Sequence, residues 1–313
     1  MKMTPADPVK KVLILGASGQ LGRAFVRLLG MTHCLGATRA DADLAQPQQV
    51  LSFLDRIKTQ MPIDAVINTA AYTAVDLAEK EKDLAWRINA QAPGKIAQWC
   101  ARHEIPLVHF STDYVFSGEG NRPWQENDIP SPLNTYGQTK LEGEKSVMDA
   151  QGKFLLFRTS WVYDAHGKNF VKTMLQLGQT KETLKVVADQ TGAPTYATDL
   201  AKGAWSALVR ATQMNPFPSG IYHLCNAGET TWYGFAKAIF EGAHQLKIPL
   251  YLKTVEPIPS SEYPTPAKRP KNSRLNTSQA ETTFAVRLPP WQDSLHTCLQ
   301  EILQETHDEN SQR

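Results

Sequence analysis

Short unbroken apolar runs alternate along the first half of the chain with longer stretches of helical spacing. Val12-Leu13-Ile14-Leu15 is the first run. Four apolar residues without polar alternation fit a strand buried on both faces. Leu21, Phe25, Leu28 and Leu29 then recur at the spacing of one helix face. The order repeats. Cys34 to Thr38 reads as a strand. Gln46 to Gln60 reads as a helix, with Val50, Phe53, Leu54 and Ile57 on one side. Ala65 to Asn68 is the third strand, and a helical pattern follows from Glu79 to His103. Pro93 cannot sit inside a regular helix without disturbing it, so a break or kink is expected near Asn89–Pro93. Leu107 to Thr112 is a further strand, residues 117–135 form a Pro- and Gly-bearing loop, a helix opens at Tyr136, and Phe154 to Arg158 is one more strand. This alternation over residues 11–160 predicts an α/β fold built on a doubly wound parallel sheet.

The second half is less regular. Pro and loops become denser between 187 and 196, where Pro194 lies, and again between 249 and 275, with helical patterns at 198–212, 232–246 and 291–304. Ile221 to Leu224 reads as a strand that returns to the main sheet. The organisation expected is a nucleotide-binding part over 1–160, rejoined by parts of 197–225. Residues 161–313 mainly form a smaller substrate-binding lobe that closes over the crevice.

Composition narrows the classes. The chain has 313 residues, 42% hydrophobic and 20% charged, with a net charge of +2. That is ordinary globular material, and it gives no argument for nucleic acid or an anionic membrane surface. Cys34, Cys100, Cys225 and Cys298 are scattered, with no Cys-x-x-Cys pair. They read as reduced thiols. The opening residues MKMTPADPVK contain no apolar core of a signal peptide, and no run approaches a membrane span. A soluble, cytoplasmic protein is expected, with no nucleic-acid or membrane partner.

Candidate chemistry lies at the ends of the strands. The first strand runs into Gly16-Ala17-Ser18-Gly19-Gln20-Leu21-Gly22 and then a helix. Strand, Gly-rich turn and helix is the context of a Rossmann-type dinucleotide loop. There the glycines let the backbone approach a pyrophosphate, and the helix N-terminus offers free N–H groups. The spacing is Gly-x-x-Gly-x-x-Gly rather than Gly-x-Gly-x-x-Gly. Arg39 follows the second strand, where a cation suits the 2′-phosphate of NADP. The other reading of Arg39 is a solvated loop charge, because Asp41 and Asp43 are close by. The small residues after the third strand, including Ala70 and Ala71 before Tyr72, leave room for a ligand. Tyr136 and Lys140 are four apart, so one helix face carries both. An ammonium held near a phenol lowers its pKa, which makes Tyr136 a candidate proton donor to a substrate oxygen. Tyr-x-x-x-Lys alone also fits an ordinary surface helix. Lys268-Arg269-Pro270-Lys271-Asn272-Ser273-Arg274 is either a clamp for a phosphate or an exposed charged loop.

Gly16-x-x-Gly19-x-x-Gly22, Ser111-Thr112 and Tyr136-x-x-x-Lys140, in that order, resemble the extended short-chain dehydrogenase/reductase superfamily. Ser111 to Phe116, Arg158 to Tyr163, Asp189 to Thr195 and Pro264 to Pro270 narrow this. They resemble the dTDP-4-dehydrorhamnose reductase family over nearly the whole chain, from Lys11 to about Leu303. The resemblance implies NADPH, or NADH, reducing the C4 ketone of a dTDP-4-keto-6-deoxy sugar to make dTDP-L-rhamnose. It implies Tyr136 as proton donor, Lys140 lowering the Tyr136 pKa and binding the nicotinamide ribose, and Thr112 donating to the same substrate oxygen. The implied cofactor set is Gly16, Ser18, Gly19, Gln20, Leu21, Gly22, Arg39, Asp43, Leu44, Ala70, Ala71 and Tyr72, with Tyr136 and Lys140. The implied substrate set is Thr112, Asp113, Trp161, Asn169, Gln190, Ala193 and Arg269, with Trp161 packed along the sugar.

One departure bears on metal and assembly. Some members of the family hold magnesium between two subunits through acidic residues near the start of the first helix. Here that turn reads Arg23-Ala24-Phe25, and Thr198 stands where the second carboxylate is expected, beside Asp199. The chain is therefore expected to work without magnesium, as a monomer or homodimer. Rival readings of two classes, other enzymes of the superfamily and a non-catalytic subunit, share the pattern. A nucleotide-sugar dehydratase needs an acid–base pair after Thr112, but Asp113 is followed by Tyr114. A different nucleotide-sugar 4-ketoreductase, or an epimerase with tightly held NAD, keeps the rest. A non-catalytic NADP-binding regulatory subunit, like that of methionine adenosyltransferase, has no need of the Thr112, Tyr136 and Lys140 set that is present here.

Overall fold

A computed structural model describes residues 9–311. The absence of a leader, read from the opening residues, rests chiefly on residues 1–8 and lies outside the described residues. The centre is a six-stranded, all-parallel sheet. Five of its strands come from the first half: β1 (Val12–Leu15), β2 (Cys34–Ala37), β3 (Ala65–Asn68), β4 (Leu107–Thr112) and β5 (Phe154–Thr159). The sixth, Gly220–His223, pairs with β5, so the order across the sheet is 220–223, β5, β4, β3, β1, β2. The expected return strand is thus part of the main sheet.

β1, β3 and β4 are buried along their whole length, which is why they read as continuous apolar runs. Alternate residues serve opposite faces. Val12, Ile14, Ile67, Val108, Phe110, Leu155 and Phe157 join one core, which contains α1 (Gln20–Leu29) and the helix Ala197–Ala211. Leu13, Leu15, Val66, Leu107 and Leu156 join the other, which contains α2 (Pro47–Gln60) and the helix Ala92–Arg102.

The interrupted helix before β4 is resolved into Lys82–Trp86, a π-helical turn at Arg87–Gln91, and Ala92–Arg102 with Pro93 in its first turn. A wide turn absorbs the disturbance and places Asn89 inside the protein.

The later segments gather around a further core of Tyr163, Val171, Tyr196, Phe235, Trp291 and Leu299. Three small sheets tie them together. Thr183–Val187 pairs with Thr254–Ile258, Thr191–Gly192 pairs with both Thr230–Thr231 and Asn272–Ser273, and Val162–Tyr163 pairs with Thr195–Tyr196. Helices Phe170–Gly178, Trp232–Gln245 and Trp291–Ser311 complete this part. All four cysteines are free and buried.

Candidate active site

The loop after β1 is shaped by what its glycines leave out. Gly16 has a positive φ of 81°, and a Cβ there would lie 2.7 Å from the Ala70 nitrogen. A Cβ on Gly22 would run into the Gly16 carbonyl oxygen. The Gly19 N–H donates to that same carbonyl, 2.9 Å away. Thr69 Oγ1 donates to the Leu15 carbonyl at 2.8 Å, fastening the end of β3 to the end of β1. α1 begins at Gln20 with no side-chain cap and no acidic residue in its first turn. Its free N–H groups and open backbone suit an anion such as a dinucleotide pyrophosphate.

The other cofactor candidates lie in the segments that follow β1, β2 and β3. Ser18 takes Arg23 Nε on its carbonyl at 2.9 Å, and Leu21 packs on the core. Arg39 is largely exposed and faces the Asp43 carboxylate at 3.4 Å, so its guanidinium is not held by burial. Leu44 is buried behind it. Ala71 and Tyr72 continue from Ala70. The Tyr72 N–H donates to Asn89 Oδ1 at 2.8 Å, and Asn89 Nδ2 donates to the Tyr72 carbonyl and to Thr139 Oγ1. Asn89 thereby joins the β3 loop to the Tyr136 helix, a link that no local sequence pattern announced.

The Tyr136 helix, Thr135–Asp149, starts with Asn134 Oδ1 accepting the Gly137 N–H at 2.8 Å. Gly137 lets the helix lie against the Tyr114 carbonyl. Tyr136 and Tyr114 meet edge to face with centroids 5.6 Å apart. Burial pushes the Tyr136 phenol up to about 12; a hydrogen bond with the Thr112 hydroxyl opposes this, and the Asp113 charge adds to it. The expected lowering by Lys140 is not found. Lys140 is only 2% exposed, and its Nζ donates to the Phe110 carbonyl at 2.6 Å. Burial pulls the Lys140 ammonium down to about 8, against the pull of Glu144. The lysine shares a helix face with Tyr136, but its charge is directed into the sheet.

The later segments and the loop after Phe116 enclose a cavity of about 1030 Å³. Its wall includes Ser117–Gly120, Phe170, Met174, Gln190, Trp232, Tyr263, Lys268, Arg269 and Lys271. Gln190 and Arg269, expected on the substrate side, line this cavity, whereas Thr112, Tyr136 and Lys140 are not among its wall residues. Arg269 also donates to Asp76 Oδ2 at 2.7 Å. Trp161 does not line the cavity. Its ring stacks on Trp232 at 3.7 Å, and it is Trp232 that faces the space. Gly192 has only a hydrogen where a Cβ would press on the Trp161 ring. Asn169 is engaged as a helix cap: its Oδ1 accepts the Lys172 N–H, and its Nδ2 donates to the Asp164 carbonyl and to Gln20 Oε1. Ala193 is buried, with its carbonyl accepting the Ser160 hydroxyl at 2.8 Å. Trp232 and Tyr263 were missed in the sequence, where each is one aromatic among many.

A family model described as RmlD substrate binding domain matches residues 10–304. The chain belongs to this family. It is 42% identical over 300 residues to the dTDP-4-dehydrorhamnose reductase of Escherichia coli (strain K12), covering 94% of this chain and 99% of that protein. Among solved structures it is similar to the dTDP-4-dehydrorhamnose reductase of Bacillus anthracis in complex with NADP, at 34% identity and a TM-score of 0.82, over 93% of this chain and 99% of that one. The Clostridium acetobutylicum orthologue is similar at 38% identity and a TM-score of 0.85, over 94% and 99%. The first turn of α1 carries no acidic residue. Asp199 accepts hydrogen bonds from Ser294 Oγ at 2.6 Å and Asn226 Nδ2 at 3.2 Å. Among the described residues, no group of three or more His, Cys, Asp or Glu is placed to hold a metal ion. No helix among them is long and apolar enough to cross a membrane.

Proposed function

We propose that this chain is an NADPH-dependent reductase acting on the C4 ketone of dTDP-4-dehydro-6-deoxy-L-mannose to give dTDP-L-rhamnose, the last step in making that nucleotide sugar. The observation that supports the reading is the hydrogen bond of Thr112 with Tyr136, with Lys140 one turn on in the same helix, in a chain 42% identical to a reductase relative over 94% of its length. The nicotinamide supplies the hydride when bound. The protein's part is orientation and proton supply. At neutral pH Tyr136 carries its proton, which suits a donor to an oxygen gaining negative charge. Thr112 gives that oxygen a second hydrogen bond. Lys140, held by the Phe110 carbonyl at the base of the Tyr136 helix, has further ammonium hydrogens for the nicotinamide ribose. Arg39 serves the 2′-phosphate of NADPH, with NADH as the weaker partner. Lys268, Arg269 and Lys271 in the cavity wall suit the diphosphate of the dTDP-sugar. The later segments, over 161–313, form the substrate lobe, and the protein acts in the cytoplasm as a monomer or homodimer.

The test follows NADPH absorbance with enzymatically prepared dTDP-4-keto-6-deoxyglucose, with and without the 3,5-epimerase. Consumption that requires the epimerase is the expected result. Consumption without it would make the chain a different 4-ketoreductase, and none in either case would favour the regulatory-subunit reading. Tyr136→Phe is expected to keep NADPH binding and lose turnover by about 10²–10⁴-fold, the usual worth of a general acid. A near-normal rate would remove Tyr136 from that role.

A further inference from the structure

Thr112 has one hydroxyl hydrogen and more than one claim on it. Its Oγ1 accepts the Tyr114 N–H at 3.2 Å and lies 3.1 Å from Asp113 Oδ1, to which it donates. The same hydroxyl is hydrogen-bonded with the Tyr136 phenol. While its hydrogen points at an Asp113 carboxylate, Thr112 has none for a substrate oxygen. Asp113 itself is 2% exposed, and its Oδ2 is buried without a close hydrogen-bond partner. The groups facing it are the Thr112 and Ser273 hydroxyls, the Tyr114 and Tyr136 phenols and the Cys225 thiol. None of these brings a positive charge to hold a carboxylate in an enclosed site.

We propose that Asp113 is a positioning residue for the reduction: as a neutral acid it donates to Thr112 Oγ1 and turns the Thr112 hydrogen toward the reacting oxygen, whereas as a carboxylate it takes that hydrogen for itself. The inference rests on the reductase reading. Burial pushes the Asp113 carboxyl up to about 7, against the opposing Ser273 and Thr112 hydroxyls, so the exchange falls within the working range. The Asp113 exchange adds no proton to the product: the C4 oxygen gains its hydrogen from Tyr136, which takes up one proton from solvent in each turnover.

The experiment is the pH dependence of single-turnover reduction, with both substrates saturating, in the wild type, Asp113→Asn and Asp113→Ala. An Asn amide can donate to Thr112 Oγ1 as the neutral acid does, but it cannot ionise near neutrality. The wild-type rate is expected to fall about tenfold or more from about pH 6 to about pH 9, starting near the Asp113 value, since one oxyanion donor is lost. Asp113→Asn is expected to lose that first limb and keep only a later decline from Lys140. Asp113→Ala is expected to be slow throughout, with no early limb. In parallel, the infrared band of a protonated carboxyl is expected to titrate in the wild type over the same range and to be missing in Asp113→Asn. An unchanged early limb in Asp113→Asn, or a wild type without one, would overturn the inference while leaving the reductase reading standing. A wild type with no turnover would remove the reductase reading and this inference with it.

Discussion

Burial acts in opposite directions on the two residues four apart on the Tyr136 helix. It raises the Tyr136 phenol to about 12 and lowers the Lys140 ammonium to about 8. Both changes favour the neutral form. The phenol therefore keeps its proton across the working range, and Lys140 loses its charge first as pH rises. Turnover is accordingly expected to decline above about pH 8 through Lys140, and a Lys140→Met variant should lack this decline at a much reduced rate, checked by rate profiles against pH. On the proposed reading Arg39 is the residue that favours NADPH over NADH. Arg39→Ser should raise the KM for NADPH by roughly tenfold and leave that for NADH nearly unchanged, as expected for one lost charge-assisted contact. At this scale the sequence was informative about residue type and spacing. Tyr136, Lys140 and the glycines were legible because each does something its neighbours cannot. The direction of Lys140 Nζ was not, because it depends on the Phe110 carbonyl, 30 positions away in the chain.

Between the Tyr136 helix and the sheet lies a charged pair that reads as surface in the sequence. Arg158 Nη2 meets Glu144 Oε2 at 2.7 Å and Nε meets Oε1 at 2.9 Å, with both side chains nearly inaccessible. Glu144→Ala would leave an unpaired buried guanidinium and should destabilise the fold by about 3–5 kcal/mol in urea unfolding, whereas replacing both residues with leucine should recover much of that. His223, on the edge strand, is buried with Nδ1 at the Trp124 carbonyl, and burial lowers it to about 3. Its folded value lies below the ordinary histidine value, so the unfolded chain takes up the proton first. Its contribution to stability is intact above about pH 6.5 and is lost as pH falls toward about 3. His223→Gln should flatten that acid limb in thermal melts. The long helices and the five strands of the first half were readable because their burial pattern is local. The two-residue strands of the second half were not, because pairs such as Thr191 with Asn272 arise only from contact between distant segments.

On the scale of the whole molecule, the cofactor loop and the aromatic-walled cavity come from different stretches, and the cavity wall is assembled from residues 117 to 271. Its roof was therefore the least legible part: Trp232 reaches it from a helix start and Tyr263 from a Pro-rich loop. Assembly through magnesium is not expected. EDTA treatment should leave turnover and molecular mass unchanged, and a loss restored by magnesium would contradict this. The return of Gly220–His223 to β5 carries a different consequence. Everything between residues 160 and 219 is an excursion whose two ends are stitched to neighbouring strands of one sheet. A protein cut after Thr159 would present the bare hydrogen-bonding edge of β5, with Leu155 and Phe157 stripped of the Ala197–Ala211 helix and Tyr222 that share their core. Such a fragment should self-associate rather than bind nucleotide as a free module. The two halves are therefore expected to fold together, and a 1–159 fragment that stays monomeric and binds NADPH would contradict this.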